Sequence, residues 1–242
     1  MFAIVLFLVI HHFSAMFIQT FFQHRYASHR QFSMSTFWER FFFVFAWVTQ
    51  GASYVSASTY ARMHRMHHSY ADTEKDVHSP KNDPSIWKMM LKTKHWYLGI
   101  YFGRIEIDER FTHDLPEWKP FDQFAHGIPS KITWIVLYVC FYLYFAPSLW
   151  LLFLLPFHIF IAPIHGVIIN WFAHRVGYRN HKTKDTSTNM LPIEILSLGE
   201  GLHNNHHHSP NRANFAQKWF EFDPTYAAIW IMDKLNIIQL KK

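Results

Sequence analysis

The sequence predicts an all-α integral membrane protein: one domain over residues 1–242, with about three transmembrane helices, further interfacial helices and a helical cap that carries a histidine-rich site. Three observations predict it. Residues 1–22 and 132–173 contain no Asp, Glu, Lys or Arg. All 23 Lys and Arg fall within 25–131 and 175–242. Nine of the 19 histidines stand in four short clusters, each beside an apolar segment.

A bilayer core takes about 20 apolar residues per helix. The first charge-free run fits one span, about residues 1–22, and the second fits a helical hairpin with spans at about 132–146 and 149–172 and Pro147 near its turn. A signal peptide would need a positive n-region and a small-residue cleavage site. The first run has neither and continues directly into "QHRYASH". Excess Lys and Arg mark the cytosolic side of a membrane. Three spans then put the N-terminus outside and a cap of about 59–131 and 174–242 in the cytosol. The net charge of +6 reads as topology plus attraction to anionic lipid headgroups or acidic substrates. The basic residues flank membrane segments instead of forming a stripe, so nucleic acid is not an expected partner.

Between the first span and the cap, the apolar stretch 41–58 has a strongly apolar part of only nine residues. That suits an interfacial or re-entrant helix, and it keeps the histidines on both sides of it in one compartment. In the tail "DPTYAAIWIMDKLN", Asp223 can cap a helix with Pro224 at its first position. Ala228, Ile231, Met232 and Leu235 would then make one apolar face. Cys140, the only cysteine, lies in a predicted span as a small buried apolar residue. A single cysteine excludes a disulfide, an iron–sulfur cluster or a thiolate zinc site within one chain.

The clusters are "HRYASH" (His24, His29), "HRMHH" (His64, His67, His68), "NWFAH" (Asn170, His174) and "HNNHH" (His203, His206, His207). A helical H-x-x-H-H places three rings on one face, and Asn170 and His174 share a face by the i, i+4 rule. His24 and His29, five apart, would diverge by about 140° on a regular helix and need a bend to converge. His11, His12, His158 and His165 lie inside predicted spans without cluster spacing and read as neutral, hydrogen-bonded groups. His78, His95, His113, His126 and His181 read as solvated cap or loop residues.

Nine imidazoles are too many for one ion, since a structural zinc takes four ligands and a catalytic one three plus water. Two ions with four or five nitrogens each use the whole set, and imidazole alone leaves zinc, copper, iron and nickel open. Glu200 precedes His203 by three residues, but a paired Glu-x-x-His pattern would need a second copy. Glu200 therefore reads as an acceptor for a ligand N–H, with Asp76 a second candidate for that role. Helix caps or surface charges remain alternatives for both.

In this order and with these spacings the clusters resemble the membrane fatty acid desaturases, specifically the acyl-CoA Δ9 (stearoyl-CoA) branch in its short bacterial form. "ARMHRMHHSYADTEKDVHSP", "NWFAHRVGYR" and "GEGLHNNHHHSP" carry the resemblance, and the first box is H-x4-H where the Δ12 branch usually has H-x3-H. The resemblance implies a di-iron site held by His24, His29, His64, His67, His68, His174, His203, His206 and His207, with Asn170 joining through a water. It implies consumption of dioxygen, two electrons and two protons, and formation of a cis double bond and water in a fatty acyl thioester. Arg62 and Lys94 match positions that contact the substrate head group. With no "HPGG" segment, electrons are expected from a separate donor protein: ferredoxin, rubredoxin, flavoprotein or cytochrome. The implied location is multi-pass in a bacterial inner membrane, active site on the cytosolic face. Rival readings are a di-iron acyl hydroxylase or alkane monooxygenase, and a non-enzymatic metal carrier or sensor.

Overall fold

Helix α1 (Phe2–Ile18) runs unbroken into a π-helical segment, Gln19–Ser28, to form one 27-residue helix. A computed structural model gives this architecture and describes residues 1–83 and 85–241. In the π-segment the backbone closes between residues five apart, and the His29 N–H donates to the His24 carbonyl at 3.2 Å. The spacing that would splay two rings on an α-helix thus brings them together, with centroids 5.0 Å apart and planes tilted by 58°. The expected bend is replaced by a wider helix.

Helix α2 (Thr36–Gln50) starts at Ser35, whose hydroxyl accepts from the Trp38 N–H, and runs back along α1. Phe42 packs on Phe21 at 4.7 Å and Phe43 on Phe22 at 5.1 Å between ring centroids. It ends at Gly51, where φ is +52° and where Tyr138 fills the space a Cβ would need, so only glycine fits the turn. Helix α3 (Ala57–Tyr70), capped by Ser56, then returns beside the π-segment, and Arg65 Nε donates to the Ser28 carbonyl at 2.8 Å. The α2–α3 pair enters and leaves at the same end of the long helix. The stretch expected over 41–58 to be interfacial or re-entrant comprises the end of α2, a 3₁₀ turn (Gly51–Ser53) and the start of α3.

Helices α4 (Ile86–Tyr101) and α5 (Lys119–His126) lead to α6 (Ile128–Phe145). Phe2–Ser28 and Ile128–Phe145 are each long and apolar enough to cross a membrane. The expected third span is not one helix. A 3₁₀ turn (Leu149–Leu154), α7 (Leu155–Ile159), α8 (Ile161–Val167) and a π-turn (Ile168–Phe172) form two arms bent by 66°. Pro163 is the cause: it has no N–H for the carbonyl of Ile159 and its ring would collide with that carbonyl, so the helix breaks at Phe160. Cys140 also departs from expectation, because its side of α6 faces outward and the thiol is exposed.

The tail is tied back to the first cluster. Helix α9 (His203–His208) is followed by α10 (Pro224–Lys234), whose cap Asp223 accepts from the Tyr226 N–H at 3.1 Å. Strand β2 (Ile238–Leu240) pairs antiparallel with β1 (Phe32–Met34), Ser33 opposite Gln239, a short ribbon in an otherwise helical chain. The inward face of α10 is Thr225 and Ile229, with Met232 partly buried on the same core; Ile231 and Leu235 point outward. The expected apolar face is therefore rotated, because Ile229 is what packs with Phe21, Phe32 and Ile238.

Four histidines of the membrane segments form bonded pairs. His11 Nδ1 lies 2.6 Å from His158 Nδ1, and His158 Nε2 lies 2.8 Å from the Tyr142 hydroxyl. His165 Nε2 lies 3.2 Å from His12 Nδ1, and the other His12 nitrogen donates to the Leu196 carbonyl at 2.9 Å. Part of the segment placed in the cytosolic cap thus rests against the middle of the first span.

Candidate metal centre

Nine ring nitrogens converge in two groups. His24, His29, His64, His68 and His206 form one, His67, His174, His203 and His207 the other; within each, one nitrogen per residue lies within 4.8 Å of all the rest. The two H-x-x-H-H segments share them reciprocally. On α3 the i, i+4 pair His64 and His68 enters the first group and His67 crosses to the second. On α9 the pair His203 and His207 enters the second group and His206 crosses to the first. One helical face therefore serves both groups, and each helix supplies the odd member of the other's set.

The facing atoms are Nε2. His206 Nε2 is 2.9 Å from those of both His24 and His68, and His64 Nε2 is 2.9 Å from His68 and 2.8 Å from His29. In the second group His174 and His203 approach to 3.1 Å, His67 and His207 to 3.3 Å. Outer partners fix the tautomer of three rings. His24 Nδ1 donates to Glu200 at 2.6 Å, His67 Nδ1 to Asp76 at 3.0 Å and His207 Nδ1 to Asp185 at 3.0 Å. Each inward Nε2 of these rings then carries a lone pair. Lone pairs at such separations repel unless a cation lies between them. Ligands about 2.0–2.1 Å from one metal ion sit about 3 Å from each other, which is the spacing observed.

Burial and the neighbouring imidazoles hold His64, His68, His203 and His206 well below the ordinary imidazole range. They are neutral at pH 7, the state a metal ligand needs. Burial pushes Asp76 up, but the Nδ1–H of His67 and the backbone N–H of Asp72, which both donate to it, outweigh burial and hold the carboxyl well below its usual range. Asp185 is held low in the same way by His207 and Ser187. Glu200, also buried, is kept ionised by His24 and Arg25 and by the Thr20 hydroxyl.

Glu200 and Asp76, singled out in the sequence as acceptors, stand where that role requires. Asp185 and Asp72, the latter 3.9 Å from His174 Nδ1, were not legible: each lies in a polar loop without cluster spacing. His78 and His126 are not solvated. His78 is buried against His67, ring centroids 4.4 Å apart, with neither ring nitrogen bonded, and His126 is buried against Tyr101 at 4.0 Å. Asn170 is half-buried in the π-turn, but His174 lies just past it, so the pair does not share an α-helical face. Arg62 and Lys94 do not join the nine histidines. Arg62 donates to Glu117 at 2.9 Å, and exposed Lys94 sits close enough to Lys131 for their like charges to interact. His29 and His68 are half-buried and border a groove of about 270 Å³ with Arg65, Arg110 and Phe111.

Among known proteins, the family model described as "Fatty acid desaturase" matches residues 1–230. The chain belongs to the fatty acid desaturase family. A 222-residue alignment at 28% identity with the sn-1 stearoyl-lipid 9-desaturase of Synechocystis sp. covers 88% of this chain and 64% of that protein. The Delta-9 acyl-lipid desaturase 1 of Arabidopsis thaliana is 29% identical over 221 residues, 90% of this chain and 67% of the relative. An acyl-CoA 5-desaturase of Anemone leveillei is 27% identical over 223 residues, 88% of this chain and 64% of the relative. The chain thus spans just under two thirds of the length of the Synechocystis protein.

For this desaturase-family chain the paired carboxylates make a graded prediction. Asp185→Asn keeps the shape but weakens the acceptor that orients His207, and metal affinity should fall about 10–100-fold with the fold intact. Metal retained during titration with a chelator measures it; an unchanged affinity would remove Asp185 from the site.

Proposed function

We propose that this chain converts a saturated fatty acyl chain to a cis-monounsaturated one at the Δ9 position, using dioxygen and two external electrons at two iron ions. The observation that carries the reading is the division of nine imidazoles into groups of five and four. Iron bound there would supply dioxygen-dependent removal of two hydrogens from neighbouring methylenes, with two electrons and two protons reducing the oxygen to water. His24, His29, His64, His68 and His206 would hold one ion, His67, His174, His203 and His207 the other, with Asn170 contributing through a water.

The chain's own part is to orient and to insulate. Glu200, Asp76 and Asp185 hold three rings with Nε2 inward, and burial of six of the nine histidines keeps bulk water from most of the centre. The half-buried edge at His29 and His68 is the side from which electrons from a separate donor protein, and protons, would arrive. The substrate is read as a fatty acyl thioester such as acyl-CoA. The names of the relatives include both lipid-linked and CoA-linked acyl chains. The Lys and Arg distribution supports an active site on the cytosolic face, and the resemblance to the short bacterial desaturases supports an inner-membrane location.

The test is mass spectrometry of fatty acids from a host expressing the chain with a donor protein and fed deuterated stearate and palmitate. A labelled cis-monoene supports the proposal and gives the double-bond position. A labelled hydroxy acid moves the chain to hydroxylase chemistry, and metal binding without oxygen consumption moves it to a carrier.

Arg62 carries the head-group part of the proposal. Because Glu117 already neutralises it, Glu117→Gln should lower KM for an acyl-CoA and Arg62→Ala should raise it, each with little change in kcat. A fall in kcat at constant KM for Arg62→Ala would take it out of that role.

A further inference from the structure

Loop 191–198 is built inside out. Leu191, Ile193, Ile195 and Leu196 are exposed, each by more than half, while Glu194 and Ser197 are buried. The polar groups satisfy one another. Glu194 accepts from the Leu191 N–H at 2.7 Å and from the Ser197 hydroxyl, which in turn accepts from the Gly201 N–H at 3.0 Å. The Pro192 carbonyl accepts from the Phe222 N–H at 2.9 Å, the Leu198 carbonyl from Thr225 at 2.7 Å, and the Leu196 carbonyl from His12. A loop facing water would leave these groups to solvent and hide its isoleucines. One facing hydrocarbon must do the reverse, because an unsatisfied backbone group there costs several kcal/mol.

Its position agrees with its polarity. The bond from His12 fixes Leu196 beside the middle of the charge-free run 1–22, whose own outward residues include Val5, Val9 and Ile10. The outward apolar surface of α1 therefore continues onto the loop without a step. Through the Phe222–Pro192 bond it continues again, onto Trp219, Phe222 and, on the outer face of α10, Trp230 and Ile231. Lys234 stands over the Trp230 ring at 5.9 Å, and Lys218 precedes Trp219, which is 95% exposed. Indole rings beside cations are the composition of a membrane–water boundary.

We propose that loop 191–198, the turn around Trp219 and the outer face of α10 form a foot immersed in the lipid leaflet next to the metal centre. The occupant of this surface is bilayer lipid. Trp219 and Trp230 lie at headgroup level and Ile193, Ile195 and Leu196 deeper among the acyl chains, at the depth of His12 and Val9. Immersion of the loop also gives His12 its purpose: it holds the segment leading to His203 against the helix that carries His24.

The test uses the full chain in phosphatidylcholine–phosphatidylglycerol nanodiscs on a Cys140→Ser background. Single nitroxide labels are placed at Ile195→Cys, Trp219→Cys and Ile231→Cys, with Val9→Cys as the lipid-facing control and Glu74→Cys as the aqueous one. Collisional relaxation by oxygen, which partitions into lipid, is compared with that by a water-soluble nickel chelate. The expected oxygen-to-nickel ratio at Ile195 matches Val9, with Ile231 and Trp219 between Val9 and Glu74 in that order of depth. Ratios equal to Glu74 at all three sites overturn the proposal. So does low accessibility at Ile195 to both oxygen and the nickel chelate that is relieved when each disc holds a single copy and gives way to the Glu74 ratio, which would assign the face to self-association.

Discussion

Replacing His203 by alanine should remove one of two metal ions per chain and abolish formation of the labelled monoene. His203 belongs to the group of four, so its loss leaves three nitrogens, while the group of five keeps its full set. His29→Ala is the informative contrast. It leaves four nitrogens in the larger group, and His29 is half-buried at the edge of the site, so metal content should stay near two while activity drops. Iron per chain after anaerobic reconstitution measures both variants, with helicity checked alongside. Equal losses in the two variants, or loss of both ions in His203→Ala with the fold intact, would argue against two independent groups. His206→Ala probes the larger group at its centre, where one Nε2 lies 2.9 Å from two others, and should cost more metal than His29→Ala.

The difference between the two groups could be anticipated only in outline. Counting nine imidazoles against the appetite of one ion predicts two ions with four or five nitrogens each, and that is how the rings divide. Which ring goes where depends on how α3 and α9 cross, and spacing along one helix carries no information about that. His24 and His29 show the same limit at shorter range. The α-helical period sets them apart, and only a backbone closing at five residues brings them together, which no propensity of "QHRYASH" announces. Glu200 and Asp76 were legible because each stands near a cluster in sequence. Asp185 is 22 residues from His207 and Asp72 more than 100 from His174, so only the folded chain joins them.

The charge-free runs coincide with the helices long and apolar enough to cross a membrane, because a bilayer tolerates few alternatives. They could not show that the last one is broken, although Pro163 stood in the sequence to do so. Positive-inside reasoning placed 174–242 wholly in the cap and gave no sign that loop 191–198 rests against the first helix, because the segment is not helical and its acid, Glu194, is turned inward. An acidic residue in an apolar stretch reads as exposed until its partners are seen. His78 was misread for a related reason: a lone histidine in a polar loop resembles a solvated one until packing against His67 buries it.

Asp223→Ala should destabilise the protein by about 3–5 kcal/mol, the cost of leaving one member of a buried ion pair without its partner. Arg25, the residue after His24, is completely buried, and its guanidinium meets Asp223 at 2.9 Å while stacking on Phe215 at 3.8 Å. Phe215 in turn lies 4.4 Å from the ring of His206. Burial pushes the Asp223 carboxyl up from its ordinary value against the pull of Arg25 and of the Phe215 and Tyr226 N–H groups. An arginine beside it that does not deprotonate keeps it anionic at neutral pH. Asp223 therefore joins the cap of α10, the wall behind His206 and the first histidine helix in one contact, and Gly199 leaves it room where a Cβ would collide with its Oδ1. Asp223→Asn should cost less than Asp223→Ala, because an amide keeps an acceptor for the Phe215 N–H while losing the charge. The double variant Arg25→Met, Asp223→Leu separates the contributions. If the stranded charge causes the damage, this apolar pair should recover much of the stability lost in Asp223→Ala, whereas equal denaturation midpoints for the two would place the loss in the α10 cap instead.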